Sequence, residues 1–323
     1  MVKYVFIVNP AAGKGKAGEF IPEIQKACKT KGADYEIYQT SGVGDARNYT
    51  RTLGESGEEY CIFGCGGDGT LFEVINGAVG FENLTVGTLP LGSGNDFVRN
   101  FGKKKDFLDV SALLDGESRK LDLIRCGEKY AISQCSMGLD AEVCAKQAAF
   151  KKLPFLSGEM AYTASLVFCF LTKSSNVFEI SIDDGEFETY DLLFSLCGNA
   201  RYYGGGYKGI PLAICDDGLL DFVIVKKDMP VIKFLKLMND YKAGKHLEWD
   251  RTVYRRGKKM TVRSRKFSAV NVDGECEFVK ERTFEVVPQG INFMFPSTVD
   301  FDAIHKTWED ENKSWEKLFT FAV

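Results

Sequence analysis

Histidine is nearly absent from this chain, with two in 323 residues. A zinc centre or a Ser-His-Asp set therefore has almost nothing to draw on, and acid–base work falls to carboxylates. The ten cysteines do not fill the gap, because no two are spaced C-x-x-C. Scattered among apolar residues (Cys61, Cys135, Cys169, Cys197), they read as small core hydrophobes in a reducing compartment. Positive net charge is missing too. At −4, the chain lacks the basic face of a general nucleic-acid binder. No apolar run reaches the ~20 residues that span a bilayer; the longest, Met160 to Leu171, is too short. Tyr4 to Val8 is too short for a signal-peptide core and runs straight into a glycine loop. Repeats and low-complexity segments are absent. The expectation is a soluble, cytoplasmic protein that is free to touch a membrane surface. With 45% hydrophobic and 27% charged residues, a chain of this length can bury the cores of two ordinary domains.

The chain is organised around the stretch from Cys61 to Val74. A short apolar run breaks into Gly66-Gly67-Asp68-Gly69-Thr70 and then resumes with helical period through Val74, Ile75 and Ala78. Strand, glycine turn, helix is the layout that brings backbone N–H groups and a helix N-terminus to a phosphate. A carboxylate in such a turn would repel a polyphosphate, so Asp68 implies a cation between them, most simply Mg²⁺. The first reading is a site for a Mg-nucleotide.

The same rhythm runs through the N-terminal third. Strands are expected at Lys3 to Val8, Asp34 to Gln39, before Gly66, and at Leu84 to Leu89. Helices are expected at Glu19 to Thr30, Asp45 to Leu53 and Leu71 to Val79. This is the pattern of an open parallel sheet, whose ligands lie at the carboxyl ends of the strands. Four loops then converge: Asn9 to Gly15, Thr40, Gly66 to Thr70, and Gly92 to Asp96. Past Lys120 strand-like runs follow one another: Lys120 to Cys126, Tyr130 to Cys135, Val177 to Ile182, Tyr190 to Cys197, Leu219 to Val225, Lys259 to Arg263, Ala269 to Val272, Thr283 to Val287 and Ile291 to Phe295. They predict a mostly antiparallel second domain, a β-sandwich, interrupted by helices at Leu139 to Lys151, Glu159 to Leu171 and Met229 to Ala243. An amphipathic helix from Phe301 to Phe321 offers Phe301, Ile304, Trp308, Trp315 and Leu318 for docking.

Each motif also has a plainer explanation. Gly64 to Gly69 satisfies G-x-G-x-x-G, but it opens the third unit rather than the first, and the next strand ends in Leu89-Pro90 instead of an acidic residue. Gly204 to Gly209 matches the same pattern with no strand–turn–helix context. Gly13 to Gly18 lacks the Lys-Ser/Thr of a Walker A loop; either it is a flexible turn or it places N–H groups and lysine charge near phosphates, with Asn9 the leading candidate. Asp96 either caps the helix beginning at Phe97 or shares in phosphate and Mg²⁺ binding. The acidic turn Asp216-Asp217-Gly218-Leu219-Leu220-Asp221 is either solvated or a hard-cation site. Asn271-Val272-Asp273-Gly274-Glu275 is either a plain hairpin or presents a general base to a cleft. Lys146, Lys151 and Lys152, beside Phe150, Leu153, Phe155 and Leu156, are the basic end of a core helix or a surface for anionic lipid.

Taken together, the motifs resemble the diacylglycerol kinase catalytic family, in particular the soluble bacterial lipid kinases. The resemblance is carried by Val8 to Gly15, Gly66 to Ala78, Leu89 to Phe97, Leu121 to Leu123, Gly198 to Gly206, the acidic turn and Asn271 to Glu275, in that order. It implies a nucleotide-binding α/β domain, Rossmann-like and related to NAD kinase and phosphofructokinase, over residues 1–125. A β-rich acceptor domain over 126–295 and a helix over 296–323 returning to the first domain would follow. It implies an ATP site at Asn9, Thr40, Gly66, Gly67, Asp68, Gly69, Thr70, Ser93 and Asn95, with Ser93 keeping the hydroxyl where the family often has Thr. It implies Asp273 as catalytic base and an accessory Mg²⁺ at Asp217 with the carbonyls of Ile214 and Leu219. Asp96, Asp122 and Glu275 would link that metal region to the active site. The implied reaction is transfer of the γ-phosphoryl of Mg-ATP to a lipid hydroxyl, diacylglycerol first among candidates. The implied setting is a cytoplasmic enzyme in transient membrane contact, with a homodimer one option. An NAD kinase, an idle nucleotide- or lipid-binding regulator and a Rossmann oxidoreductase are the competing readings.

Overall fold

Four short apolar runs build the sheet that carries the glycine loops. The computed structural model describes residues 2–150, 177–227 and 231–318. In it β1 (Lys3–Val8), β2 (Tyr35–Gln39), β3 (Tyr60–Gly66) and β4 (Leu84–Pro90) lie in the order β2-β1-β3-β4, all parallel. β3 is buried along its whole length, as expected of a central parallel strand covered on both faces. The connections are α1 (Lys16–Glu19) with α2 (Ile21–Lys31), then α3 (Asp45–Glu55), then α4 (Asp68–Ala78). The helix expected from Leu71 begins three residues earlier, so Asp68 stands in the first turn of α4 rather than in a free loop. A carboxylate there is favoured by the helix dipole.

The second half is mostly antiparallel: β5 (Glu117–Cys126), β6 (Lys129–Ala131), β7 (Gln134–Gly138), β8 (Val177–Ile182), β9 (Glu188–Gly198), β10 (Leu220–Lys226), β11 (Thr252–Gly257), β12 (Lys259–Val272) and β13 (Glu275–Phe295). Helices α6 (Leu139–Phe150) and α7 (Val231–Lys242) pack beside it, and a short α5 (Val110–Leu114) precedes β5. β9 and β10 are apolar on both faces. Leu192, Cys197, Phe222 and Ile224 join one core with Met260, Val270 and Phe284. Leu193, Leu196, Val223 and Val225 join another with Tyr241 and Tyr254. A strand buried on both sides in this way fills the middle of a layered, sandwich-like domain.

Several sequence expectations change here. The runs Lys259 to Arg263 and Ala269 to Val272 are one strand, interrupted by a bulge between Arg263 and Ser268. The runs Thr283 to Val287 and Ile291 to Phe295 are one strand of 21 residues. The run Tyr130 to Cys135 is split between β6 and β7. β11 has no counterpart among the expected strands, because Arg255 and Arg256 break its apolar pattern. The expected helix from Glu159 to Leu171, with Lys151, Lys152 and Cys169, lies outside the described residues. Strand pairing crosses between the two halves. β13 pairs with β12 and β5, then runs parallel to β4 through Asn292 and Phe293, joining both halves into one thirteen-stranded sheet.

The tail helix α8 (Phe301–Leu318) seals this junction. Phe301 and Trp308 enter the core that also holds Val5, Ile62 and Phe293, while Trp315 packs on the core of the second half. Arg201 lies beneath α8, its guanidinium 5.0 Å from the Trp308 ring centroid and ion-paired to Glu311. Asn312 Nδ2 donates to Leu212 O at 2.8 Å. Trp308→Ala should therefore lower unfolding stability by about 3–5 kcal/mol in urea titration; a loss of less than ~1 kcal/mol would show that the tail is not integral to the fold.

Candidate active site

The register of the parallel strands aligns their carboxyl ends. Val8 stands opposite Gln39 and Cys65, and Cys65 stands opposite Leu89. The next residues, Thr40, Asn9, Gly66 and Pro90, thus form a row across the sheet edge, three strand spacings or ~14 Å long. Asn9 Nδ2 donates to Thr70 Oγ1 at 3.3 Å, and its Oδ1 accepts from Ala11 N–H at 3.1 Å. Thr40 N–H donates to Val8 O at 2.9 Å. The row holds residues from three of the expected loops and, at Pro90, the strand end that leads into the fourth, and hydrogen bonds between neighbours hold it.

Two of these loops are pressed against each other. Gly92 N–H donates to Gly66 O at 2.8 Å, and a Cβ on Gly92 would collide with the Gly67 backbone. Only glycine permits that approach. Asp68 then closes the pair: Oδ2 accepts from Asn95 N–H at 2.7 Å and Oδ1 from Asp96 N–H at 2.8 Å. Asn95 is in the left-handed region at φ 56, and its Nδ2 donates to Gly92 O at 2.6 Å. Each oxygen of Asp68 keeps a further lone pair.

Asp96 is not a helix cap. Its side chain makes no capping hydrogen bond. Oδ2 accepts from Gly205 N–H at 2.7 Å, and Oδ1 accepts from Arg99 Nε at 3.1 Å. Gly205 lies in a run of three glycines at φ 60, 87 and 101, a turn closed to residues with a Cβ except at a cost. Asp96 therefore ties the first half to the second. Burial raises its pKa, and the charge of Asp68 pushes in the same direction.

Asp273 stands across the cleft at the tip of the β12–β13 hairpin, half-buried, with φ 46. Its Oδ2 accepts from Ile132 N–H (2.7 Å) and Ser133 N–H (3.1 Å), and Oδ1 accepts from Gln134 N–H (2.8 Å). Burial raises its pKa to about 6. The three N–H donors oppose that rise, and the charge of Asp68 adds to it. Asn271 Oδ1 accepts from Gly274 N–H at 2.7 Å and holds the turn from within.

One cleft of about 810 Å³ is lined by Asp68, Ser93 and Asp96 on one side and by Asp273 on the other, with Tyr203 and Gly205 at its wall. Of the other sequence candidates, Asn9, Thr40, Gly66, Gly67, Gly69, Thr70 and Asn95 form the shelf beside it. Glu275 is exposed at the start of β13, outside the cleft wall.

Several contributors carried no sequence signature. Ile132, Ser133 and Gln134 act through backbone amides. Lys104 Nζ donates to Gly92 O at 2.7 Å. Its pKa is lowered by burial, then by the neighbouring charges of Lys16 and Arg99, while Asp68 opposes them. Three cations therefore gather over the glycine loops, the electrostatics a polyphosphate requires. Arg99 had a detectable signal, lying three residues after Asp96 in the same turn.

Among the described residues, no three His, Cys, Asp or Glu side chains converge to hold a metal by themselves. Asp68, Asp96 and Asp273 still fit a divalent ion that arrives on phosphates, since Mg²⁺ is commonly bound by one or two carboxylates plus substrate oxygens. The set Ile214, Asp217 and Leu219 fits an accessory cation poorly. Asp217 Oδ1 accepts from Leu219 N–H at 3.0 Å, and Oδ2 is paired with Arg256. Arg256 also faces the buried Asp221 at 3.5 Å, and Asp216 lies 3.1 Å from His305 Nε2. The acidic turn already has protein cations. Asp122 clamps it through Gly218 N–H (2.6 Å) and Gln289 N–H (2.7 Å). A link to the active site does exist: Asn199 Nδ2 donates to the carbonyls of Asp122 (2.7 Å) and Ile132 (3.0 Å), and Ile132 N–H holds Asp273.

The sequence matches two described families in succession. Residues 3–126 match the diacylglycerol kinase catalytic domain, and residues 133–295 match the YegS C-terminal NAD kinase beta sandwich-like domain. The chain is 29% identical over 296 residues to a Staphylococcus carnosus (strain TM300) protein named diacylglycerol kinase, covering 91% of this chain and 95% of the relative. A Staphylococcus epidermidis relative of the same name is 28% identical over 295 residues, covering 91% and 92%. In fold it resembles a crystal structure of a diacylglycerol kinase from Bacillus anthracis str. Sterne, with TM-score 0.67 at 20% identity over 92% of this chain and 98% of the other.

If Arg256 supplies the positive charge of the acidic turn, chelation with EDTA should leave the thermal midpoint of the wild-type chain unchanged. Arg256→Met should lower stability by about 3 kcal/mol by stranding Asp221. A midpoint that falls with EDTA and recovers with Mg²⁺ would show instead that a cation holds the turn.

Proposed function

Since the chain belongs to the diacylglycerol kinase catalytic-domain family and is a lipid kinase, we propose that it moves the γ-phosphoryl of Mg-ATP onto the hydroxyl of diacylglycerol or a closely related lipid. The observation that carries this reading is the meeting of Asp68 and Asp96 with Asp273 across one cleft. A phosphate-binding edge faces a carboxylate whose pKa is raised to about 6, near the value wanted of a base working at neutral pH.

In this reading ATP lies along the row from Thr40 through Asn9 and Gly66 to the loop bearing Ser93. Amides of Gly67 and Gly69 face the phosphates, with Gly66 and Thr70 on either side, while Asn95 fixes the neighbouring loop. Arg99 and Lys104 offset charge that develops on the transferred group. Asp68 and Asp96 would hold Mg²⁺ together with phosphate oxygens, and the ion would supply further charge neutralisation. Asp273 accepts the proton of the lipid hydroxyl as that oxygen attacks phosphorus. The amides of Ile132, Ser133 and Gln134 keep the carboxylate aimed, and Asp122 positions that segment through Asn199. Glu275 belongs to the outer rim of the site, where it contributes charge rather than contact.

Residues 1–125 then form the donor half and 126–295 the acceptor half. The α8 helix and the last stretch of β13 fasten the two, so the cleft is a fixed groove rather than a hinge. The acceptor would come from a bilayer, which makes the enzyme cytoplasmic and peripheral when acting. The accessory ion implied by resemblance at Ile214, Asp217 and Leu219 takes no part in this mechanism, because Arg256 stands in its place.

The direct test is phosphoryl transfer from labelled ATP to a panel of diacylglycerol, phosphatidylglycerol, a sphingoid base and NAD, with and without Mg²⁺. Label in NAD alone would overturn the lipid reading. Asp68→Ala should raise the KM for Mg-ATP about tenfold or more, equivalent to ~1.4 kcal/mol; an unchanged KM would remove Asp68 from the donor site. Asp273→Asn should bind Mg-ATP normally and lose roughly 10²–10⁴ in kcat. In the wild type kcat/KM should fall as pH drops through about 6, because protonation removes the base. Its persistence in Asp273→Asn would assign the titration to another group.

A further inference from the structure

Seven of the nine described cysteines are buried, as core thiols should be; Cys144 and Cys276 are not. Cys144 is on α6 and lines the catalytic cleft. Cys276 is the second residue of β13, three residues after Asp273. The two thiols are near enough to shift each other's titration in opposite directions. They also reach the same acceptor: Cys144 Sγ lies 3.5 Å and Cys276 Sγ 4.0 Å from Gly274 O, and Cys276 Sγ lies 3.9 Å from Ala141 O on α6. Cys276 therefore touches α6, and Cys144 touches the turn that leads into β13. Cys126 and Cys135 are also in thiol–thiol contact, but at 1% and 0% exposure they are closed to a solvent oxidant.

We propose that Cys144 and Cys276 form a covalent modification site, a reversible disulfide made by hydrogen peroxide or an alkyl hydroperoxide, that switches the lipid kinase off by pinning the Asp273 turn to α6. The inference rests on the reading of Asp273 as the base. In the first step the Cys276 thiolate attacks one peroxide oxygen. The O–O bond breaks, hydroxide or alkoxide leaves, and Cys276 becomes a sulfenic acid. In the second step Cys144 sulfur attacks Cys276 sulfur, the S–O bond breaks, and water leaves with the Cys144 proton. The sum is two thiols oxidised and one peroxide reduced, and a thiol reductant reverses it. The nearby Cys144 thiol lowers the pKa of Cys276, and Cys276 raises that of Cys144. That asymmetry makes Cys276 the attacking sulfur and Cys144 the resolving one. Transient, signal-dependent disulfides are the kind a reducing compartment tolerates.

The consequence follows from where the two sulfurs sit. Closing their contact to the ~2.05 Å of a disulfide draws Gly274 and Cys276 toward α6. The Asp273 carboxylate is aimed by three hydrogen bonds of 2.7–3.1 Å to Ile132, Ser133 and Gln134. A shift of ~1 Å in a positioned catalytic group costs on the order of 10²-fold in rate.

The test treats the full chain with excess hydrogen peroxide, blocks free thiols, and maps disulfide-linked peptides by mass spectrometry with no substrate present. Phosphoryl transfer is measured before oxidation, after it, and after dithiothreitol. The expected result is a Cys144–Cys276 linked peptide, a roughly tenfold or greater fall in transfer, and recovery on reduction. Cys276→Ser should keep its own starting rate after peroxide. Absence of the linked peptide overturns the site. A linked peptide with undiminished transfer, or an equal loss in Cys276→Ser, overturns the switch. Because the peptide is scored without substrate, failure of the lipid panel leaves the site standing, and failure of the mapping sinks it even in an active kinase.

Discussion

Three backbone N–H groups, those of Ile132, Ser133 and Gln134, converge on one carboxylate, and the rest of the site depends on that arrangement. Asp273 is at φ 46, a conformation that costs a non-glycine residue roughly 1–2 kcal/mol. The amides and the Asn271–Gly274 hydrogen bond hold it there. The same amides stabilise the charged carboxylate, so on their own they would make it a weak base. Burial and the charge of Asp68 act in the opposite direction, and the balance leaves the group near 6. Position and basicity thus come from separate causes: the amides fix where the oxygens lie, and the low-dielectric surroundings restore their appetite for a proton.

Carboxylates serve as backbone clamps throughout the chain. Asp68 gathers Asn95 and Asp96, Asp96 gathers Gly205, Asp122 gathers Gly218 and Gln289, and Asp273 gathers the 132–134 segment. An ionised acceptor makes a stronger bond to an amide than a neutral one does. One geometric consequence is that Asp68, Asp96 and Asp273 are brought into a single cleft, where they repel. A second is that the cleft is stable only while something answers that charge. Arg99 and Lys104 answer part of it from the loop side.

Much of the N-terminal half was legible because its plan lies in side-chain pattern. Strand, glycine turn and helix recur, and the parallel register follows from strands apolar on both faces. The helix start at Asp68 was misread by three residues because glycine is a poor helix former and masked the first turn. The C-terminal half was harder for two reasons. Its long strands β12 and β13 pass through Arg263 to Phe267 and Glu275 to Arg282, where exposed charged residues hide the period. Its contribution to Asp273 comes from backbone amides, which leave no mark in a sequence. Asp96 shows the limit of local reasoning: next to Phe97 it looks like a cap, and only the turn containing Gly205, more than a hundred residues away, shows what it holds.

The long strand β13 gives these local clamps a common frame. It begins beside the Asp273 turn, runs through the antiparallel half, and ends parallel to β4 in the sheet that carries the glycine loops. That strand and the α8 helix, with Trp308 and Arg201 packed at the seam, tie the Asp273 turn and the Asp68 loop into one hydrogen-bonded frame. The frame is thinnest at the two-residue turn between β12 and β13 that carries Asp273.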